Sequence, residues 1–139
     1  MNMRKLLSKI KYYSFLVMPL MVFIVLFLMN RKLKIISLIP YEKIAVLVTI
    51  VAALIGALLT VLTIFLSFPK NDTVSRRLKT SGHFNILISN IFAGLVFFIL
   101  SLLTWLLFNN NDAVIYLFCC GITNMTITGY YIMALSSFT

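Results

Sequence analysis

Four stretches of this chain, residues 12–29, 44–68, 84–108 and 113–135, contain no Asp, Glu, Lys or Arg. A bilayer core about 30 Å thick is crossed by about 20 apolar residues as helix, because lipid offers no partner to free backbone N–H and C=O groups. The pattern therefore predicts an all-α fold: a four-helix transmembrane bundle in one membrane domain, residues 1–139, with no separate soluble part. All fifteen charged residues lie outside the four runs, as a hydrocarbon solvent requires. The chain is 62% hydrophobic with a mean hydropathy of +1.07, against the roughly half-apolar make-up of soluble domains.

The connections carry the topology. Arg4, Lys5, Lys9 and Lys11 precede the first run, as in a secretory leader, but no small-residue cleavage site follows. The run leads directly into Asn30, Arg31 and Lys32, which marks it as a retained span. Pro19 within it predicts a kink. With the N-terminus inside, the cytoplasmic side holds eight Lys and Arg, four in the head and four in the 69–83 loop (Lys70, Arg76, Arg77, Lys79). The opposite side holds four, Arg31, Lys32, Lys34 and Lys43. The excess of basic residues inside places both termini of this multi-pass chain in the cytoplasm. The apolar filling of the first outer loop, Leu33, Ile35, Ile36, Leu38 and Ile39, predicts that it lies along the interface. The connection 109–112 reads as a tight polar turn.

The 25-residue second and third runs would measure about 37 Å as helices, so they tilt or protrude. Protrusion is expected at their shared loop, where Asp72 or Thr73 could start a short surface helix and Gly82 could stop it.

At helical spacing, the second run aligns Thr49, Ala53, Gly56, Thr60, Thr63 and Ser67 on one stripe. The third aligns Asn90, Gly94, Phe97, Ser101 and Thr104, and the fourth Gly121, Asn124, Thr128 and Tyr131. The first run is uniformly apolar from Phe15 to Met29, which predicts that it is peripheral and that the other three make the inner contacts. Small residues let helices approach closely in lipid and hydroxyls or amides bond across them, so these stripes read first as helix packing. The alternative is that several copies arrange the stripes around a narrow path, with Asn90 and Asn124 as its most polar points.

Several classes of chemistry have no support. Proton- and cation-coupled transporters bury an ionisable group at mid-membrane, and none exists here, which argues against small multidrug exporters of similar size. The one histidine, His83, sits at a span boundary with no carboxylate or nucleophile near it in sequence, so no catalytic residue, cofactor or metal is expected and the chain does not read as an enzyme. Cys119 and Cys120 are adjacent within an apolar run, match no metal spacing, and read as packing residues. The basic residues flank spans, which anionic headgroups explain more simply than nucleic acid. In the 69–83 loop, Lys70, Arg76, Arg77 and Lys79 can anchor the span ends to anionic lipid. Raised by two long helices, Arg76, Arg77 and Lys79 can also dock acidic groups of a cytosolic partner.

The run Ala53 to Thr63, the segment Ser75-Arg-Arg-Leu-Lys79, Gly82 and the following span resemble small four-span proteins of bacterial phage-defence systems. The resemblance covers mainly residues 44–108 and touches two kinds, the membrane subunit of the Kiwa system and that of the lambdoid Rex exclusion system. The first implies a homo-oligomeric membrane sensor or platform that recruits a cytosolic effector in antiviral defence. The second implies a channel that depolarises the cell. Outside these systems, four-span proteins of this length also occur as small channels and lipid-linked-sugar flippases.

Overall fold

A computed structural model describes residues 13–67, 83–108 and 110–136. Four helices account for nearly all of them: α1 (Ser14–Leu33), α2 (Tyr41–Ser67), α3 (His83–Phe108) and α4 (Asn111–Ser136). Each is long and apolar enough to cross a membrane, and no strand occurs among the described residues. The chain is a multi-pass all-α membrane bundle. The basic loop, with Lys70, Arg76, Arg77 and Lys79, lies outside the described residues, as does its expected surface helix.

Helix ends differ from the limits of apolarity for local reasons. Helix α1 continues beyond the apolar run through Asn30, Arg31 and Lys32, because cations in a last turn favour the negative end of the helix dipole. It stops at Lys34, which adopts the left-handed conformation (φ 48°) and returns its N–H to the Asn30 carbonyl at 2.8 Å. Helix α4 starts at Asn111, inside the segment that reads as a turn. Asn110 caps it by accepting the Ala113 N–H on its side-chain oxygen at 3.2 Å, and Asp112 adds an acidic group in the first turn.

The α3–α4 hairpin is the centre of the bundle, with α1 lying mainly against α4 and α2 mainly against α3. This corrects the expectation that α2, α3 and α4 share the inner contacts. The buried face of α2 is its large aliphatic one, Ile44, Val51 and Leu58, of which Val51 and Leu58 pack with Leu87, Ile91, Leu95 and Phe98 of α3. The stripe Thr49, Ala53, Gly56, Thr60, Thr63 and Ser67 points away from the bundle, every member exposed. Two physical reasons favour this rotation. Dispersion contact is the main attraction between helices in lipid, and the aliphatic face offers more of it. The hydroxyls also need no second helix: Thr60 donates to the Gly56 carbonyl at 2.9 Å, Thr63 to Leu59 at 2.8 Å and Ser67 to Thr63 at 2.8 Å.

Helix α1 is continuous through Pro19, which is buried against its neighbours, alone among the described side chains of that helix. The Cys120 thiol donates to the Pro19 carbonyl at 3.4 Å, tying α4 to α1. Cys119 packs against the cluster of Ile36, Ile115 and Tyr116, and both thiols are free. The connection between α1 and α2 is anchored on the bundle. A single turn of 3-10 helix, Ile35–Leu38, inserts Ile36 against Ile115 and Tyr116 of α4 and leaves Leu38 exposed.

Candidate functional site

Two places in the bundle concentrate polar groups: the α3–α4 seam and the end of the bundle where α1 finishes and α4 begins. In the seam, Asn90, Gly94 and Ser101 of α3 and Gly121, Asn124 and Thr128 of α4 are all buried. The glycines set the approach. A side-chain carbon at Gly94 would stand 3.5 Å from the Asn124 Cβ and 3.8 Å from the Gly121 carbonyl. One at Gly121 would stand 2.5 Å from the Phe98 ring, so that ring lies directly on the α4 backbone.

The polar groups of the seam are mostly satisfied along their own helices. The Asn90 amide donates to the Ile86 carbonyl at 2.9 Å and the Thr128 hydroxyl to the Asn124 carbonyl at 2.9 Å. Ser101 alone bonds across, donating to the Val114 carbonyl at 3.0 Å. Ser101→Ala is expected to cost about 0.6 kcal/mol, and not more than about 1.7 kcal/mol, the span found for hydrogen bonds between membrane helices. Reversible unfolding in mixed micelles measures it. Asn124 is different: it is 0% exposed and neither end of its amide has a partner, and Asn90 Oδ1 is likewise unpaired. Since Asn124 lies on Gly94 and Asn90 is one turn away along α3, the unpaired groups share one stretch of the seam.

This placement bears on a conducting path. Asn90 and Asn124, the most polar points of the stripes, are closed between two helices of a single chain and present nothing to a second copy. Gly56, Thr60 and Thr63 are exposed but belong to the opposite side of α2 from the seam. The structure thus brings together six of the sequence-derived positions, Asn90, Gly94, Ser101, Gly121, Asn124 and Thr128, and separates the α2 stripe from them.

The second polar place has no counterpart in the periodicity of any span. Asn30 joins three elements: its side-chain oxygen accepts the Ile36 N–H at 3.1 Å, and its amide donates to Asp112 Oδ2 at 3.1 Å. Beside it, an open cleft of about 490 Å³ is lined by Phe27, Asn30 and Arg31 of α1 and by Asn110, Asp112 and Tyr116 around the start of α4. The signal in the sequence was the pairing of Asn30-Arg31 at one span end with Asn110 and Asp112 at another, which becomes a site only once α1 is known to lie on α4. Among the described residues no three His, Cys, Asp or Glu come together as metal ligands.

Comparison with known proteins returns no matching family model, no matching curated protein and no matching solved structure.

Proposed function

We propose that this protein is a non-catalytic membrane platform: a homo-oligomer that holds the basic 69–83 loop above the bilayer and recruits an acidic face of a cytosolic effector through Arg76, Arg77 and Lys79. The observation that carries this reading is the length of the two helices that bear the loop. Helices α2 and α3 have 27 and 26 residues, about 40 and 39 Å against a hydrocarbon core of about 30 Å. A tilt of about 20° shortens them by only a few ångströms. The polar first turn of α2, Tyr41 to Lys43, uses part of the excess in the headgroup layer, and the remainder lifts the loop.

The bundle interior supports the same reading, because its polar residues Asn90, Ser101, Asn124 and Thr128 are buried within a single chain and line no open path. A role in antiviral defence, as sensor of phage attack and partner of an effector, is the biological setting we propose for the platform, on the resemblance of residues 44–108.

The test is purification of the tagged protein from detergent-solubilised native membranes, with identification of co-purifying proteins and the mass of the intact assembly. A cytosolic protein in fixed ratio is expected, and reversal of Arg76, Arg77 and Lys79 to Glu is expected to release it while the assembly keeps its mass. A partner that survives the reversal overturns docking through the loop. A bare assembly that conducts ions overturns the platform.

A further inference from the structure

The cleft beside Asn30 combines features that the platform reading does not use. Its two walls repeat one arrangement. On α1, Arg31 stands one turn above Phe27, and on α4, Asp112 stands one turn towards the helix start from Tyr116. The charged residues occupy the ends of their spans, where hydrocarbon gives way to headgroups, and the aromatic residues lie one turn deeper. Phe27 and Tyr116 meet edge to face with ring centroids 6.4 Å apart, so the deep part of the cleft is an aromatic floor.

The rim carries one charge of each sign on opposite walls. Among the described residues Asp112 is engaged only by the Asn30 amide at one oxygen, and Arg31 has no ion pair. A guanidinium presents planar paired donors suited to phosphate oxygens, and a carboxylate accepts from a primary ammonium. The cleft volume falls within the range of about 300–1,000 Å³ that small-ligand sites occupy. A ligand matched to the site carries phosphate and ammonium together at the membrane surface with an apolar part directed inwards.

We propose that this cleft is a specific site for an aminophospholipid: its phosphate on Arg31, its primary ammonium on Asp112, and its glycerol and upper acyl region over Phe27 and Tyr116. The depth order decides between lipid and soluble ligand. Charges lie outermost and rings beneath, matching a lipid of the same leaflet from headgroup to chain. The order also favours ethanolamine over choline, since a quaternary ammonium has no N–H for Asp112 and the rings lie too deep to cage it. The inference stands apart from effector recruitment and does not depend on it.

The test uses the full chain in detergent, titrated with phosphatidylethanolamine, phosphatidylcholine or phosphatidylglycerol and read as retained lipid by native mass spectrometry. Phosphatidylethanolamine is expected to be held about tenfold more tightly than phosphatidylcholine, the value of one charge-assisted hydrogen bond. Asp112→Asn keeps an oxygen for the Asn30 amide and so preserves the junction. It is expected to remove the preference for ethanolamine while phosphatidylglycerol is held as before. Arg31→Gln is expected to weaken both. Equal retention of phosphatidylethanolamine and phosphatidylcholine by the unaltered chain overturns the proposal, as does an unchanged preference in Asp112→Asn. Free phosphoethanolamine binding as tightly as the lipid overturns the assignment to a lipid, because the aromatic floor would then contribute nothing.

Discussion

Gly121→Ala destabilises the bundle by about 1–3 kcal/mol, the cost of forcing a methyl group into a packed interior. The added carbon would stand 2.5, 2.6 and 2.9 Å from three atoms of the Phe98 ring, so the ring or the helix must move. Phe98 is 0% exposed and packs in the central cluster with Leu87, Ile91 and Leu95, which denies the ring a free direction. Gly121→Leu is expected to separate α3 from α4 altogether. The substitution can be told from a general loss of packing by a companion change: Phe98→Leu removes the ring edge, so Gly121→Ala costs less in that background than alone. A coupling near zero in this double-mutant cycle, measured by reversible unfolding in micelles, would show that the ring does not rest on Gly121.

Gly56→Leu has the opposite profile. A carbon added at Gly56 meets nothing within 4 Å, so the fold of one chain accommodates any side chain there. Replacing glycine in a helix interior also removes a propensity penalty of about 0.8–1.0 kcal/mol measured against alanine. Unfolding of the single chain is therefore expected to be unaltered or slightly harder. In the proposed homo-oligomer, the outward stripe of Gly56, Thr60 and Thr63 is the face on which two backbones can approach, and a leucine at its centre holds them apart. The assembly is expected to fall to the 15.8 kDa chain in its detergent micelle, read by light scattering or native mass. An unchanged assembly mass would show that copies meet on another face. Gly94 lies between the two extremes: its nearest neighbour would be the flexible end of Leu58 at 3.2 Å, which can move.

The four spans were legible because the lipid imposes a single rule, no charge across a fixed thickness, and residues 44–68 and 84–108 obey it along almost the same limits as α2 and α3. Termination chemistry was less legible at α1, where Arg31 and Lys32 end the apolar run but continue the helix. The rotation of α2 was not legible from periodicity, since that helix has two usable faces. Its small polar residues marked one, and the choice fell to the aliphatic face opposite Phe98 and Leu95. In α3 and α4 the small and polar positions coincide with the buried face because close approach at Gly94 and Gly121 leaves no alternative. The Asn30 junction joins residues 82 positions apart in sequence, and no local pattern announces it.

Asn124 also shows why energetic rules from water do not transfer directly. An unpaired buried amide weighs against a soluble fold, but a separated membrane helix keeps that amide in lipid too, so much of its cost falls on insertion rather than on packing. Substitutions at Asn124 consequently report on entry into the bilayer as well as on the seam.

The arrangement in which α1 lies on α4 and almost nothing of it touches α2 fixes an order of events during synthesis. The first two helices leave the ribosome as a pair with no stable contact between them. The second gains its main partner when α3 follows it, while α1 waits for α4, when Asn30 finds Asp112 and Pro19 finds Cys120. A chain truncated before α4 is expected to leave its first helix without its main partner, exposed to the proteases that survey membranes for incomplete proteins.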